Sequence, residues 1–399
     1  MAWRVLLVEL AEDGSIGGSH RCLVDIARHL DRREFVPVIV FHEANPYVDE
    51  LREEGFEVHL LESRWVPASR VPSRLKRLAL KRAVVRKRLA FLDAVSADLV
   101  HLNNSPRAGW DDWLPAARIR GIPCLSHARG FPTSHPHAVV AWASRKFDRV
   151  ITISWAVHQA WLKAGIPPSR LTQIYDGVDL ESLKAKLGRT PAEVRTGFTL
   201  APDCVLVTMV GHLRTWKGQD VLLQALEQLV RQGFDRLHVA LIGGPTNSED
   251  NTYIEGLHHF TRTHDLGSRV TFLGPRRDAA DFMNAADIVV HASTSPEPFG
   301  LVVVEGLALG KPVVASRFGG PGEVIRPGAG LLFDPSRPSE LAGHLRTLAQ
   351  DPALRHRLGE AGRAGASQFD ITVNVAVIQA LYRKVLTGSR RPRLAGATG

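Results

Sequence analysis

Short runs of apolar and β-branched residues alternate along this chain with longer segments of helical period, and no other feature constrains the fold as strongly. Runs of this kind read as strands buried on both faces, and crossovers of that length join parallel strands. Examples in the first half are Val5 to Val8, Val36 to Phe41, Val58 to Leu61, Leu99 to Leu102 and Val150 to Ile153. The pattern restarts with Val205 to Val210, Val239 to Ile242, Val270 to Leu273, Ile288 to Val290 and Pro312 to Ala315. A chain of 399 residues arranged this way is expected to form two doubly wound α/β domains, residues 1–190 and 191–370. The polar stretch 181–204, with Pro191 and Pro202, reads as the linker. A helix over about 371–387 is expected to pack back on the first domain, and 388–399, rich in Gly, Pro and Arg, reads as a flexible tail.

Composition excludes several classes. With 44% hydrophobic and 23% charged residues the chain is neither disordered, collagenous nor coiled-coil. Its three cysteines, Cys22, Cys124 and Cys204, lie far apart, without the paired spacing of a zinc cage or a disulfide framework. The apolar run Val5 to Val8 stops at Glu9, too short for a signal-peptide core, and no stretch approaches the roughly 20 apolar residues of a spanning helix. A cytoplasmic protein, peripheral on the inner face of the membrane, is the expectation.

The net charge is +9, yet ten basic and no acidic residues fall between Arg64 and Ala90, so the remainder carries −1. The surplus belongs to one segment. From about Ser73 that segment can form a helix with Leu75, Leu78, Val85 and Leu89 on one side, and Trp65 just ahead of it. Arg74, Lys76, Arg77, Lys81 and Arg82 then form a cationic patch with Trp65, suited to an anionic membrane surface. The alternative is a solvated helix docked on its own domain by those leucines. A nucleic-acid partner would leave the motifs below unexplained, and none is expected.

Ligands in such sheets bind beyond the carboxyl ends of the strands, at helix N-termini. After the first run comes Gly14-Ser15-Ile16-Gly17-Gly18-Ser19, then a helical face of Leu23, Ile26, Ala27 and Leu30. Backbone N–H groups at Gly17 and Gly18 could approach a phosphate there, although a plain tight turn would use the same glycines. Arg214 and Lys217 follow the run Val205 to Val210 and precede a helix with Leu222, Leu223, Leu226 and Leu229. Two cations at that turn would neutralise a diphosphate, one by fork geometry and one as a compact charge.

The most informative segment is Glu297-Pro298-Phe299-Gly300-Leu301 through Leu309, in which Glu305 is the sole charged residue of an otherwise apolar or glycine stretch from Leu301. A buried carboxylate is neutral, paired, or used to hold a polar ligand. If Glu297 shares the helix with Glu305, the two stand about 12 Å apart on nearly one face, fitting the ends of an extended ligand. Gly319-Gly320-Pro321-Gly322-Glu323 follows the last strand run, and His127 stands directly after the short run Cys124-Leu125-Ser126.

In their order these motifs resemble the retaining glycosyltransferases of family 4, over nearly the whole chain from Gly17-Gly18 through His127, Asp176-Gly177-Val178-Asp179, Arg214-x-x-Lys217-Gly218, Gly243-Gly244 and Glu297-x7-Glu305 to Gly319-Gly320-x-x-Glu323. The resemblance implies the GT-B fold: two Rossmann-like domains facing across a cleft. It implies that Arg214 and Lys217 bind the donor diphosphate and Glu305 the ribose hydroxyls. Glu297, with the backbone after Phe299, would orient the donor sugar, His127 would contact it, and Gly17 and Gly18 would approach the phosphates. Gly243, Gly300 and Leu301 count as donor-binding positions by the same resemblance, and His127, Glu297, Arg214 and Lys217 as catalytic. Asp176 stands where the family usually has Asn, His212 where Arg is frequent, and Gly306 where Ala is usual.

The implied reaction moves a sugar from a UDP- or GDP-sugar to a hydroxyl acceptor, with no cofactor and, lacking an Asp-x-Asp pair, no metal. Fixed cations and helix N-termini would stabilise the departing diphosphate. No residue of the motifs is placed as a covalent nucleophile, so front-side attack, in which the leaving phosphate takes the acceptor's proton, is expected. The basic segment 64–90 lies on the acceptor side, which suggests a lipid-linked acceptor and cell-surface polysaccharide or glycolipid synthesis. A soluble acceptor, or a sugar-nucleotide epimerase of the same architecture, is the alternative.

Overall fold

The computed structural model describes residues 2–10, 17–61, 74–104, 112–132 and 145–388. The chain divides into two compact units, one of Met1–Gly177 together with the chain from Thr372 onward, the other Val178–Ile371. In the first unit, strands β1 (Trp3–Glu9), β2 (Phe35–Phe41), β3 (Glu57–Leu60), β4 (Leu99–Asn103), β5 (Cys124–Ala128), β6 (Arg149–Thr152) and β7 (Leu171–Gln173) build one parallel sheet in the order β3-β2-β1-β4-β5-β6-β7. Val5 to Val8 are at most 1% exposed, as a strand covered on both faces requires. The order reverses between β1 and β4, so Glu9 and Asn103, paired in register at their carboxyl ends, lie at the switch point beside the helix Gly18–His29.

The second unit repeats the plan. Strands β8 (Val205–Val210), β9 (Leu237–Ile242), β10 (Val270–Phe272), β11 (Ile288–His291), β12 (Val313–Ser316) and β13 (Leu331–Phe333) run parallel in the order β10-β9-β8-β11-β12-β13. The helix Gln219–Arg231 buries Val221, Leu222, Leu223, Leu226 and Leu229 in one cluster with Val207, Leu241, Val290 and Leu345. Each such side chain contributes about 1.5–3 kcal/mol by leaving water. Both units are thus Rossmann-like α/β layers of seven and six strands.

Three details depart from the sequence expectations. Strands β7 and β13, three residues each, are not among the runs picked out in the sequence; β10 is equally short but lies within the longer apolar run Val270 to Leu273. His127 lies inside β5, not after it, because that strand pairs on both sides through this position, with Asn103 of β4 and Ile151 of β6. The expected linker is no linker: 181–204 contains a helix Leu180–Ala185 capped by Asp179 and a helix Pro191–Arg195 opened by the Thr190–Glu193 capping box. Both belong to the second unit, to which Gly188 is tied by its N–H to Asp281 (3.0 Å) and Arg195 by an ion pair with Asp287 (2.9 Å). The partition therefore falls after Gly177, ahead of the expected position at 190.

From Thr372 the helix Ile371–Gly388 belongs to the first unit. The Tyr382 ring meets Phe35 edge-on at 5.5 Å, Gln379 accepts from the Asp31 N–H (2.8 Å), and Arg383 binds Glu34 (2.8 Å).

The basic segment forms a helix over Arg74–Ala94. Trp65 and the side chains of Arg74, Lys76 and Arg77 lie outside the described residues. Lys81 and Arg82 are exposed, whereas Arg88 is buried, bound to Asp112 (2.9 Å) and stacked on the Trp113 ring (4.4 Å). One of the ten charges therefore docks the helix on its own unit instead of facing outward. No described helix is long and apolar enough to cross a membrane.

Candidate active site

In the second unit the loop after β8 leads into a single turn of 3-10 helix, Thr215–Lys217, and then Gly218, the N-cap of the helix Gln219–Arg231. Gly218 has φ +76°, and a Cβ there would collide with the Ala292 carbonyl, so only glycine lets this turn press against the end of β11. That approach carries Lys217 to the segment following β11. There the Thr294 N–H donates to the Trp216 carbonyl (2.8 Å), and the Lys217 ammonium lies over the Trp216 ring at 4.0 Å.

Glu297 is held from the other side. Its N–H donates to the Phe318 carbonyl (3.2 Å) and its carbonyl accepts from the Gly320 N–H (2.8 Å), forming a parallel bridge with Gly319. Gly319 takes φ +83°, and a Cβ there would overlap the Glu297 carbonyl. Glu297 therefore sits on a short β-bridge, and the helix begins only at Leu301, with Gly300 as N-cap and Phe299 packed on Phe369 at 5.7 Å. The expectation that Glu297 and Glu305 share one helix is corrected: Pro298 and the left-handed Gly300 break the helical path between them.

The Glu297 carboxylate gathers three donors: Lys217 Nζ at 2.6 Å, His291 Nε2 at 3.1 Å and Ser293 Oγ at 3.0 Å. Burial alone would push its pKa up, but the Lys217 charge and the His291 and Lys217 hydrogen bonds hold it well below the usual carboxylate range. The two groups that the family resemblance treats separately, a diphosphate cation and a sugar-orienting carboxylate, are here one ion pair. His291 and Ser293 were missed in the sequence; the only sign was a polar pair at the end of the apolar run Ile288 to Val290.

Arg214 is the second cation of the turn. Its Nε lies 3.5 Å from Asp250, whose carboxylate also accepts from the Thr246 N–H and hydroxyl at 2.8 and 2.7 Å. Gly243 follows β9 and packs its backbone on the Gly211 carbonyl, while Gly244 accepts from the Leu213 N–H at 2.9 Å, fixing the loop that bears Arg214. Glu305 is 5% exposed on the helix Leu301–Ala308. Thus Arg214, Lys217, Gly243, Glu297, Phe299, Gly300, Leu301 and Glu305 all lie in the second unit.

Gly17, Gly18 and His127 lie in the first. Gly17 is the N-cap of the helix Gly18–His29, and no side chain among the described residues caps it. His127 is wholly buried in a polar network that composition could not reveal. Asn103 donates to Glu9 (2.5 Å) and accepts from Arg129 Nε (2.5 Å), while the Arg129 guanidinium pairs with Asp176. Burial lifts the Asp176 carboxyl above its ordinary value, and the Arg129 charge opposes that rise. The ring of His101 stacks on His127, with its Nε2 3.2 Å from His127 Nδ1, and its Nδ1 meets the Tyr382 hydroxyl.

Family models match both halves of the chain: "Glycosyltransferase Family 4" over residues 16–182 and "Glycosyl transferases group 1" over 195–365. A D-inositol 3-phosphate glycosyltransferase of Catenulispora acidiphila is 30% identical over 97% of this chain and 96% of its own length. A protein of the same name from Streptomyces bingchenggensis is 32% identical over 57% of this chain, a match that spans about half of that relative, 51%. Among solved structures, Anabaena Alr3699/HepE in complex with UDP-glucose superposes with TM-score 0.78 at 27% identity, covering 95% of this chain and 99% of the other.

Proposed function

Because the chain belongs to family 4 of the glycosyltransferases, we propose that it moves a sugar from a nucleotide-diphosphate donor to a hydroxyl acceptor with retained anomeric configuration. The observation that carries this is the Lys217–Glu297 pair, set at a helix N-terminus and backed by Arg214. An ammonium and a carboxylate 2.6 Å apart suit adjoining parts of one ligand: a diphosphate for the cation and sugar hydroxyls for the carboxylate. The UDP-glucose bound by Alr3699/HepE supports a UDP-sugar as the first donor to try.

In the proposed reaction the bond from the anomeric carbon to the diphosphate oxygen breaks and the acceptor oxygen bonds to that carbon on the same face. The acceptor's proton passes to the leaving phosphate. Lys217, Arg214 and the N–H groups at the start of the helix Gln219–Arg231 stabilise the charge that grows on the diphosphate. Glu297, held ionised at neutral pH, accepts from sugar hydroxyls and fixes the donor's orientation. Glu305 is assigned to the ribose hydroxyls, and no metal or cofactor enters the scheme.

For the acceptor, a phosphorylated polyol is favoured, since the named relatives act on D-inositol 3-phosphate. The exposed Lys81 and Arg82 favour a second reading, a lipid-linked acceptor at an anionic membrane surface. The test is a panel of UDP- and GDP-sugars, each alone, with D-inositol 3-phosphate and with a polyprenyl-linked acceptor. Nucleoside diphosphate released only with an acceptor supports transfer and identifies that acceptor. A donor converted to its epimer with no acceptor present overturns it.

A further inference from the structure

Glu297 does not share its donors between its two carboxylate oxygens. Lys217 Nζ, Ser293 Oγ and His291 Nε2, at 2.6, 3.0 and 3.1 Å, all converge on Oε2, while Oε1 accepts from no described residue. Three donors more than fill one carboxylate oxygen, and with the side chain 12% exposed, Oε1 is the oxygen left to a ligand. The terminal torsion of a glutamate is broad and roughly two-fold, so a carboxylate held by one ion pair alone swings about that pair. Here the donors come from three places: the turn before the helix Gln219–Arg231, the last residue of β11, and the segment beyond it. Together they fix the plane of the carboxylate, and with it the direction in which Oε1 can accept.

The hydrogen positions follow from the acceptor. An ionised carboxylate only accepts, so His291 Nε2 carries a proton. Ser293 has a single O–H, given to Oε2, and its oxygen can then accept from the same His291 N–H at 3.1 Å. The other ring nitrogen, Nδ1, is buried with no partner among the described residues, in a residue 6% exposed. Burying an unpaired polar atom costs stability. An apolar side chain continuing Val289 and Val290 would end β11 without that cost, but it could not place an N–H on Glu297. We propose that His291 and Ser293 are positioning residues, holding Glu297 Oε2 so that Oε1 stands as a fixed acceptor for a hydroxyl of the donor sugar. The hydroxyl rests on the sugar-orienting role proposed for Glu297; the anchoring of Oε2 does not. All four side chains belong to the second unit.

Protein labelled with 15N-histidine tests the anchoring by the ring-nitrogen resonances of His291, assigned by their loss in His291→Phe. A protonated Nε2 is expected in the wild type, and its resonance should move in both Ser293→Ala and Glu297→Gln. Kinetics test the role, using the nucleotide sugar turned over in the donor panel and UDP or GDP as the competing product. His291→Phe and Ser293→Ala should each lower kcat about tenfold, the worth of one hydrogen bond to a charged group. Donor KM and inhibition by the nucleoside diphosphate should stay within about twofold, because the diphosphate contacts are kept. His291→Gln, which can offer an N–H near the place of Nε2, should recover part of the lost kcat. A proton on Nδ1 alone, or His291 resonances unmoved in both Ser293→Ala and Glu297→Gln, overturns the anchoring. Wild-type kcat in both His291→Phe and Ser293→Ala with Glu297→Gln inactive, or losses matched by equally weakened diphosphate inhibition, overturns the positioning role. Glu297→Gln as active as wild type overturns the sugar-orienting role of Glu297 instead. A panel without any turnover overturns the proposed function, and the resonances still decide the anchoring.

Discussion

The Lys217 ammonium stands 2.6 Å from the Glu297 carboxylate, although the two residues are 80 positions apart in the chain. Their meeting depends on two glycines, Gly218 beneath the lysine and Gly319 beside the glutamate, each at a backbone angle that other residues rarely adopt. The pair joins the two site functions that the family resemblance assigns to separate residues.

Lys217→Ala is expected to lower turnover by orders of magnitude, since the diphosphate loses its compact countercharge while Glu297 loses its partner. The fold should persist, checked by circular dichroism. Turnover close to wild type would refute the assignment of Lys217 to the donor phosphates.

The Glu297 carboxyl is depressed in the folded state, so its ionised form contributes stability above the unfolded value of about 4.3 that is lost as pH falls through the folded value. Wild type should therefore be more stable than Glu297→Gln from pH 6 to pH 8, with the gap narrowing below about pH 4. Thermal melts of both proteins across pH measure it, and a gap that widens toward acid contradicts the sign.

Gly319→Ala sets a Cβ against the Glu297 carbonyl, while Gly233→Ala, also at positive φ, meets no atom within 4 Å. The second should cost about 1 kcal/mol by backbone strain alone. The first should cost more, roughly 2–3 kcal/mol, and weaken donor binding by moving Glu297. Equal melting shifts, with equal donor affinity, would deny Gly319 its part in holding Glu297.

Arg88→Ala should destabilise the protein by about 2–3 kcal/mol, because it leaves the Asp112 carboxylate without its partner and strips the Trp113 face. Lys81→Ala and Arg82→Ala, both exposed, should leave stability within about 0.5 kcal/mol. If the segment meets a membrane, the double variant should reduce co-sedimentation with anionic vesicles at low salt. Wild-type protein that does not sediment removes the lipid surface from the proposal.

Glu305→Ala should raise the donor KM steeply and lower turnover by orders of magnitude with the fold retained, as measured by donor titration and thermal melting. Unchanged kinetics would remove Glu305 from the nucleotide site.

The two doubly wound layers were legible in the sequence because a parallel strand covered on both faces must be apolar throughout, and runs such as Val5 to Val8 and Val205 to Val210 announce it locally. Arg214, Lys217, Glu297 and Glu305 were legible because charge beside glycine turns or inside an apolar helix is costly and therefore conspicuous. The Lys217–Glu297 pair, the break between Glu297 and the helix of Glu305, the helices within 181–204 and the burial of Arg88 were not, since each depends on partners brought together from distant positions. The same holds for Tyr382, His101 and His127, separated by 281 and 26 residues. Hydrophobic period is a property of neighbours along the chain and can be read there; proton positions and ion pairs depend on distances of about 3 Å in space, which only the folded structure sets.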